Sequence, residues 1–484
     1  MKQESILKGV LLYSISTWVN LVLGFLTVII TTRVLLPDVY GQVSIFNSIT
    51  SVLMYILLLG MDGAYIRYYN EPPINNTKSQ LLYKNLFGTT LFCLLVGLMT
   101  VCFLGEEISK FFFNICSKIL VGYIFIYTLC QMVLRYLNIS FRMSFRTTEY
   151  NIQNILINNI FRFLLIIAAL FTNDVEYIIA ILSLGMFFVL MVYLYVQRKE
   201  FIPVNINGKL DYRVSLHGYN SYFRFALFSA PAYIIFYFNS YMSQQIVMTS
   251  LGAYALGIFS STNMFSQLLG AMQGGFSTFW SAYVYKNYEE EKEKIGQMHN
   301  YILLFAIVAV SALVLFRDPI YLFIGSGFRT SKHFYSLILM MPVLNIVSET
   351  TSKGICIANK NEYTLLSFII CVAANIGLCL FLIPKHGLIG VAWSNAISAI
   401  VLYIFNTYFG QKYYKTILNL KKSLLGVLAI IILLSVPSIT LNMLLIALIT
   451  IGVDICALFI FHNEAAMMYG KIQAVISFWK HKHR

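Results

Sequence analysis

Charge is scarce in this chain: 11% of its 484 residues are Asp, Glu, Lys or Arg, against 59% that are apolar. Soluble cores cannot bury that much apolar surface, so the soluble classes are excluded and a bilayer must be the solvent. Long polar connections are lacking too. The longest, Asp62 to Lys84 and Gln197 to Ser221, are too short to fold into a catalytic domain. The eight cysteines lie singly in or beside apolar runs, without a C-x-x-C or Cys/His group, which favours packing roles over disulfides or a metal centre. The formal charge of +14 fits the lysines and arginines that orient a membrane protein, and no basic-aromatic module for nucleic acid accompanies it.

What is there is a succession of apolar runs, each of roughly 17 to 25 residues and so able to cross about 30 Å of hydrocarbon as a helix. The expected fold is all-α and polytopic, with about fourteen transmembrane helices between residues 9 and 461. Two pairs of expected spans matter below: 222 to 249 with 254 to 284, and 364 to 383 with 387 to 409. The first run lacks a cleavage site and is read as a retained helix.

Lysine and arginine set the orientation. With the N-terminus inside, the outer segments hold only Arg33, Lys110, Lys118, Arg317, Arg329, Lys332 and Lys385, and Arg162 alone is assigned to a span. Both termini are then cytoplasmic, and the tail Lys471, Lys480, Lys482 and Arg484 meets anionic headgroups.

Polar residues recur at helical spacing within the spans. The first span has Asn20, Gly24, Thr27 and Thr31; the second has Ser44, Ser48, Ser51 and Tyr55; the seventh has Tyr237, Ser240 and Gln244; the eighth has Ser260, Asn263, Gln267, Gly270 and Gly274. Such stripes either line a wet cavity or glue helices together. In the fifth span Asn151, Asn154, Asn158 and Arg162 form a ribbon at i, i+3, i+7 and i+11. A mid-membrane arginine must face water, an acid or an anionic ligand, and its forked donors suit phosphate. Asp62, Glu349 and Asp454 are candidates for that acid or for proton or sodium coupling, and Glu349 also stands four residues before Lys353 as a helical ion pair. Pro231 is expected to kink the seventh span and is a candidate hinge. A shift of 216 residues superposes Leu35 on Leu251, Gly41 on Gly257, Ser44 on Ser260 and Asn47 on Asn263. Either two parallel repeats with a substrate site between them or a coincidence of register explains it.

Four segments carry a family resemblance. They are Thr32 to Gly41 (TRVLLPDVYG), Gly60 to Tyr69 (GMDGAYIRYY), Leu251-Gly252 with Leu256 to Ser260, and Ile383 to Ala392 (IPKHGLIGVA) preceded by Asn375. In order along the chain they resemble the polysaccharide biosynthesis membrane proteins, the Wzx-type flippases of the multidrug/oligosaccharidyl-lipid/polysaccharide exporter superfamily. The resemblance implies an N-terminal six-helix lobe at 1–200, a second at 201–411, and two further helices with a cytoplasmic tail at 412–484. It also implies a non-enzymatic, monomeric carrier in the bacterial cytoplasmic membrane, without cofactor. That carrier moves an undecaprenyl-pyrophosphate-linked O-antigen or capsule unit and works beside the glycan polymerase and chain-length machinery. One departure stands out: where family members often have an acid-arginine pair late in the seventh helix, this chain reads Ser243-Gln244-Gln245. A multidrug or peptidoglycan-precursor exporter of the same superfamily is the alternative. A membrane glycan polymerase or glycosyltransferase would need a larger outer loop than Arg317 to His333.

Overall fold

The computed structural model describes residues 3–69, 72–73, 76–144, 146–198, 218–358 and 360–467. Most of the 197 to 221 connection and the basic tail at Lys471, Lys480, Lys482 and Arg484 lie outside the described residues. Among those residues the chain is helical throughout: α1 Gln3–Val34, α2 Pro37–Leu58, α3 Met61–Tyr68, α4 Lys78–Phe113, α5 Lys118–Met143, α6 Thr147–Phe171, α7 Val175–Val196, α8 Tyr219–Asn287, α9 Lys292–Leu315, α10 Arg317–Phe323, α11 Tyr335–Ile338, α12 Met340–Thr351, α13 Lys353–Ile357, α14 Asn361–Tyr413, α15 Leu420–Ile439 and α16 Met443–Ile460.

The helix starts are written in the local sequence. Thr77 and Gln80 form a reciprocal capping box on α4, and Ser117, Asp174, Asn419 and Asn442 cap α5, α7, α15 and α16 through their side chains. The stops of α2 and α4 rest on left-handed residues, Leu59 and Asn114. Leu59 (φ 46°) and Gly60 (φ 72°) end α2 and restart the chain as α3, which puts Asp62 in the first turn of α3.

Two helices are longer than any single span. At 1.5 Å per residue, α8 and α14 would be about 100 Å and about 80 Å long if straight, against about 30 Å of hydrocarbon. Both are interrupted at a glycine that adopts positive φ: Gly252 (φ 86°) in α8, and Gly387 (φ 56°) in α14 just after Pro384. Each interruption falls at the expected junction of two spans. In α8 the non-helical backbone is at Gly252, whereas Pro231 is contained within helix.

Among the described residues nine helices are long and apolar enough to cross a membrane, or ten if the bent pair at 326–351 counts as one span. The protein is therefore an all-α, multi-pass membrane protein, and fourteen remains the expected number of crossings. Large apolar side chains such as Phe171, Phe103 and Leu98 face outward on these helices, as lipid contact requires.

The chain forms two compact units. One comprises 1–264 with 325–328, the other 265–324 with 329–484. These units follow packing, whereas the expected lobes at 1–200 and 201–411 and the expected pair at 412–484 follow the order of the spans. In the first unit α1 packs on α6 and α5 packs on α4, α7 and α2; in the second α9 packs on α15 and α16, and α12 on α14.

Within the first unit α2 crosses the second half of α8 at backbone contact. A methyl group on Gly41 would lie 2.2 Å from the Ala253 carbonyl oxygen, and one on Gly257 would lie 1.9 Å from the Pro37 carbonyl oxygen. The contact is reciprocal under the 216-residue shift, because Ala253 is the counterpart of Pro37 and Gly257 that of Gly41. Reciprocity of this kind is what two like segments facing each other across a local two-fold axis produce.

Candidate functional site

The polar groups of the first unit gather at two levels. At the deeper level Arg162, half-buried in α6, donates from Nη1 to the Asn159 side-chain oxygen at 3.1 Å. Asn159 is fully buried and donates in turn to the Asn20 oxygen on α1 at 2.5 Å and to the Ile155 carbonyl at 2.8 Å. A guanidinium is thereby held by amides across the α1–α6 contact. Among the described residues no carboxylate pairs with it.

The expected asparagine ribbon is only partly one surface. Asn158 is exposed and donates to the Asn154 oxygen at 2.7 Å, while Asn151 is buried. The residue that holds Arg162 is Asn159, one position off the ribbon. Adjacent asparagines give no way to choose between two registers until α1 brings Asn20 to one of them.

The second level starts from Asp62, which is 1% exposed. Arg135 on α5 reaches its Oδ2 with both Nη2 at 2.6 Å and Nε at 2.7 Å. The guanidinium lies 5.0 Å from the centre of the Tyr55 ring, which stacks on Tyr237 of α8 at 4.3 Å and 18°. The two phenol oxygens are 3.3 Å apart. Beside this stack Tyr222 donates to the Asn85 oxygen at 3.0 Å and to the Met61 carbonyl at 3.2 Å, holding the start of α3. Arg162 is thus not the single arginine within a span, which corrects the charge count. Arg135 lies inside the apolar run of α5, close enough to its end to pass for a loop residue.

The stripes divide by role. Gln244 accepts from Ser48 at 2.8 Å and from Ser44 at 3.3 Å, tying α8 to α2. Thr27 is buried and turns its hydroxyl back to the Leu23 and Gly24 carbonyls of its own helix. Asn47 and Asn263, counterparts under the 216 shift, are half-buried, and Gln267 is exposed.

In the second unit the acids are already engaged. Glu349 pairs with Lys353 at 2.6 Å, Lys353 donates onward to Ser281 at 2.8 Å, and Trp280 donates to the Glu349 carbonyl at 3.0 Å. Asp454 accepts from Ser311 at 2.6 Å. Among the described residues none of the three acids pairs with Arg162, and no group of His, Cys, Asp and Glu could hold a metal. One bridge had no signal in the sequence: buried His299 contacts Thr350 and Ser423 at 2.8 Å each, joining α9, α12 and α15. Since Thr350 donates its proton to the Val347 carbonyl, it must accept from His299 Nδ1, which leaves Nε2 to accept from Ser423.

Comparison with known proteins places the chain in a family. The polysaccharide biosynthesis protein family matches residues 6–285, more than half of the chain. No functionally curated sequence matches. Among solved structures, the lipid II flippase MurJ in an inward closed conformation is similar over 96% of this chain and 99% of its own, with a TM-score of 0.68 and 18% identity. A multidrug resistance MATE family transporter of the MOP superfamily, inward-facing, is similar over 82% and 94% with a TM-score of 0.55 and 17% identity. A MOP superfamily transporter from Pyrococcus furiosus covers 84% and 95% with a TM-score of 0.51 and 14% identity. At such identities the likeness is one of fold. The chain belongs to the polysaccharide biosynthesis protein family, and it is a multi-pass membrane protein with the fold shared by MurJ and the MATE transporters.

Proposed function

We propose that this protein is a flippase that moves an undecaprenyl-pyrophosphate-linked oligosaccharide from the inner to the outer leaflet of a bacterial cytoplasmic membrane. The observation that carries this reading is Arg162: an amide-held guanidinium in a span, without a carboxylate among the described residues. The pyrophosphate and the sugar hydroxyls would each lose several kcal/mol of hydrogen bonding in hydrocarbon. Arg162 binds the pyrophosphate; Asn154, Asn158, Asn47 and Asn263 offer amides to the glycan, while the prenyl tail stays in lipid. The lobes at 1–200 and 201–411 rock between inward-open and outward-open states, with Pro231 and the glycine breaks as bending points. Proton or sodium coupling falls to one of Asp62, Glu349 and Asp454. Both termini face the cytoplasm, and the glycan polymerase with its chain-length machinery receives the product.

Deleting the gene in its host tests this. The lipid-linked unit should accumulate on the cytoplasmic leaflet while surface glycan disappears. Normal surface glycan and normal precursor levels in the deletion strain would refute the assignment.

A further inference from the structure

We propose that Arg135 is a second pyrophosphate anchor, placed closer to the cytoplasm than Arg162, with Asp62 as a built-in competitor that occupies it between substrates. The inference rests on the flippase reading for the identity of its ligand. The site itself stands on the geometry of the guanidinium.

An arginine guanidinium carries five N–H donors: two along the Nε/Nη2 edge, two along the Nη1/Nη2 edge and one on the remaining side. Asp62 takes the Nε/Nη2 edge, and takes it with one oxygen alone, Oδ2. The parallel two-oxygen fork that makes an arginine-carboxylate pair strong is not formed. Asp62 Oδ1 is buried and accepts no hydrogen bond. The Nη1/Nη2 edge has no hydrogen-bond partner among the described residues, and the Arg135 side chain retains 30% exposure where Asp62 retains 2%. The ring of Tyr55, itself stacked on Tyr237, lies 5.0 Å from the guanidinium carbon. With a single carboxylate oxygen on one edge and the Nη1/Nη2 edge unpaired, the guanidinium can first take phosphate oxygens on that open edge, and the half-made pair to Asp62 then gives way to them.

The depths of the two arginines give the site a place in transport. Counted along α5 and α6 at 1.5 Å per residue, Arg135 is about 12 Å and Arg162 about 22 Å from the turn that joins these helices. That turn is cytoplasmic in the expected orientation. A headgroup entering from the cytoplasm therefore meets Arg135 first, displaces the carboxylate, and passes to Arg162. Asp62 re-forms the pair behind it, so that Arg135 is never left buried and uncompensated.

Binding measured on the purified full-length protein in zwitterionic nanodiscs tests this, with inorganic pyrophosphate and a polyprenyl pyrophosphate as separate probes. Asp62→Asn removes the competitor and should bind both probes about tenfold more tightly, whereas Arg135→Lys should bind about tenfold more weakly. The charge-neutral pair Asp62→Asn/Arg135→Gln should lose the gain while melting near the parent temperature. Asp62→Asn protein that binds no tighter than the parent, with only its melting temperature changed, would make the pair structural and overturn the proposal. A gain for inorganic pyrophosphate alone would overturn the lipid-headgroup assignment. If the Asp62→Asn gain appears but none of these variants affects glycan export, the flippase reading fails and the anion site stands. If the gain is absent while Arg162→Ala abolishes export, the site fails and the flippase reading stands.

Discussion

Gly41 and Gly257 each lie against the backbone of the other's helix, Gly41 on Ala253 and Gly257 on Pro37. The pattern maps onto itself when the chain is shifted by 216 residues, so a faint correspondence in sequence has a physical counterpart in packing. Backbone contact at both points leaves no room for a Cβ. Gly41→Ala and Gly257→Ala should each destabilise the protein by about 1–3 kcal/mol through overpacking. Thermal unfolding of the purified variants measures this, with Gly88→Ala, where a methyl meets nothing within 4 Å, as the control.

Glu464 anchors the segment after α16 and gives a pH dependence of defined sign. Burial raises its carboxyl, but the Lys422 ammonium on both oxygens (2.8 and 2.7 Å) and the Asn300 amide at 2.9 Å outweigh this, so its pKa lies below the usual glutamate value. A carboxyl with a depressed folded-state pKa contributes stability above its unfolded value of about 4.3, and that stability is lost as pH falls through the folded value. Glu464→Gln should melt below the parent at pH 7 and converge with it under acid conditions. A constant gap down to pH 3 would contradict the assignment.

The three intramembrane acids should respond differently to neutralisation. Glu349→Gln leaves the buried Lys353 without its 2.6 Å partner and should cost about 3 kcal/mol, with Glu349→Gln/Lys353→Met recovering most of it. Among the described residues the partner of Asp454 is a hydroxyl, that of Ser311, so Asp454→Asn should keep the protein abundant. Abundance and export for each variant separate coupling from structure, and three unchanged transport activities would remove carboxylate coupling.

How much of this was legible in the sequence follows from the range of the interactions. The junctions at 249–254 and 383–387, where the helices break at Gly252 and Gly387, were legible because the apolar runs end there, which is a local signal. The Glu349–Lys353 pair was legible for the same reason, being one helical turn apart. Arg135 was not. Its partner Asp62 is 73 residues away, and in sequence it reads as one more basic residue near a span end. Asn159 was passed over because its role depends on Asn20, 139 residues away on another helix. Local signals name elements and their ends; which polar face turns inward is decided by neighbours from distant parts of the chain.

Topology is open to a direct check. Reporter fusions at Ser221 and Thr330 should report cytoplasmic and external compartments respectively, as the charge asymmetry of the connections requires. The same compartment for both would break the two-state, two-lobe account at its base.

The most direct measurement is glycan export by Arg162→Ala, with abundance of the inserted protein recorded alongside. Loss of export at normal abundance, partial rescue by Arg162→Lys, and unchanged folding are expected, because lysine keeps the charge but not the fork. Full export by a stably inserted Arg162→Ala protein would contradict the claim that this guanidinium carries the pyrophosphate.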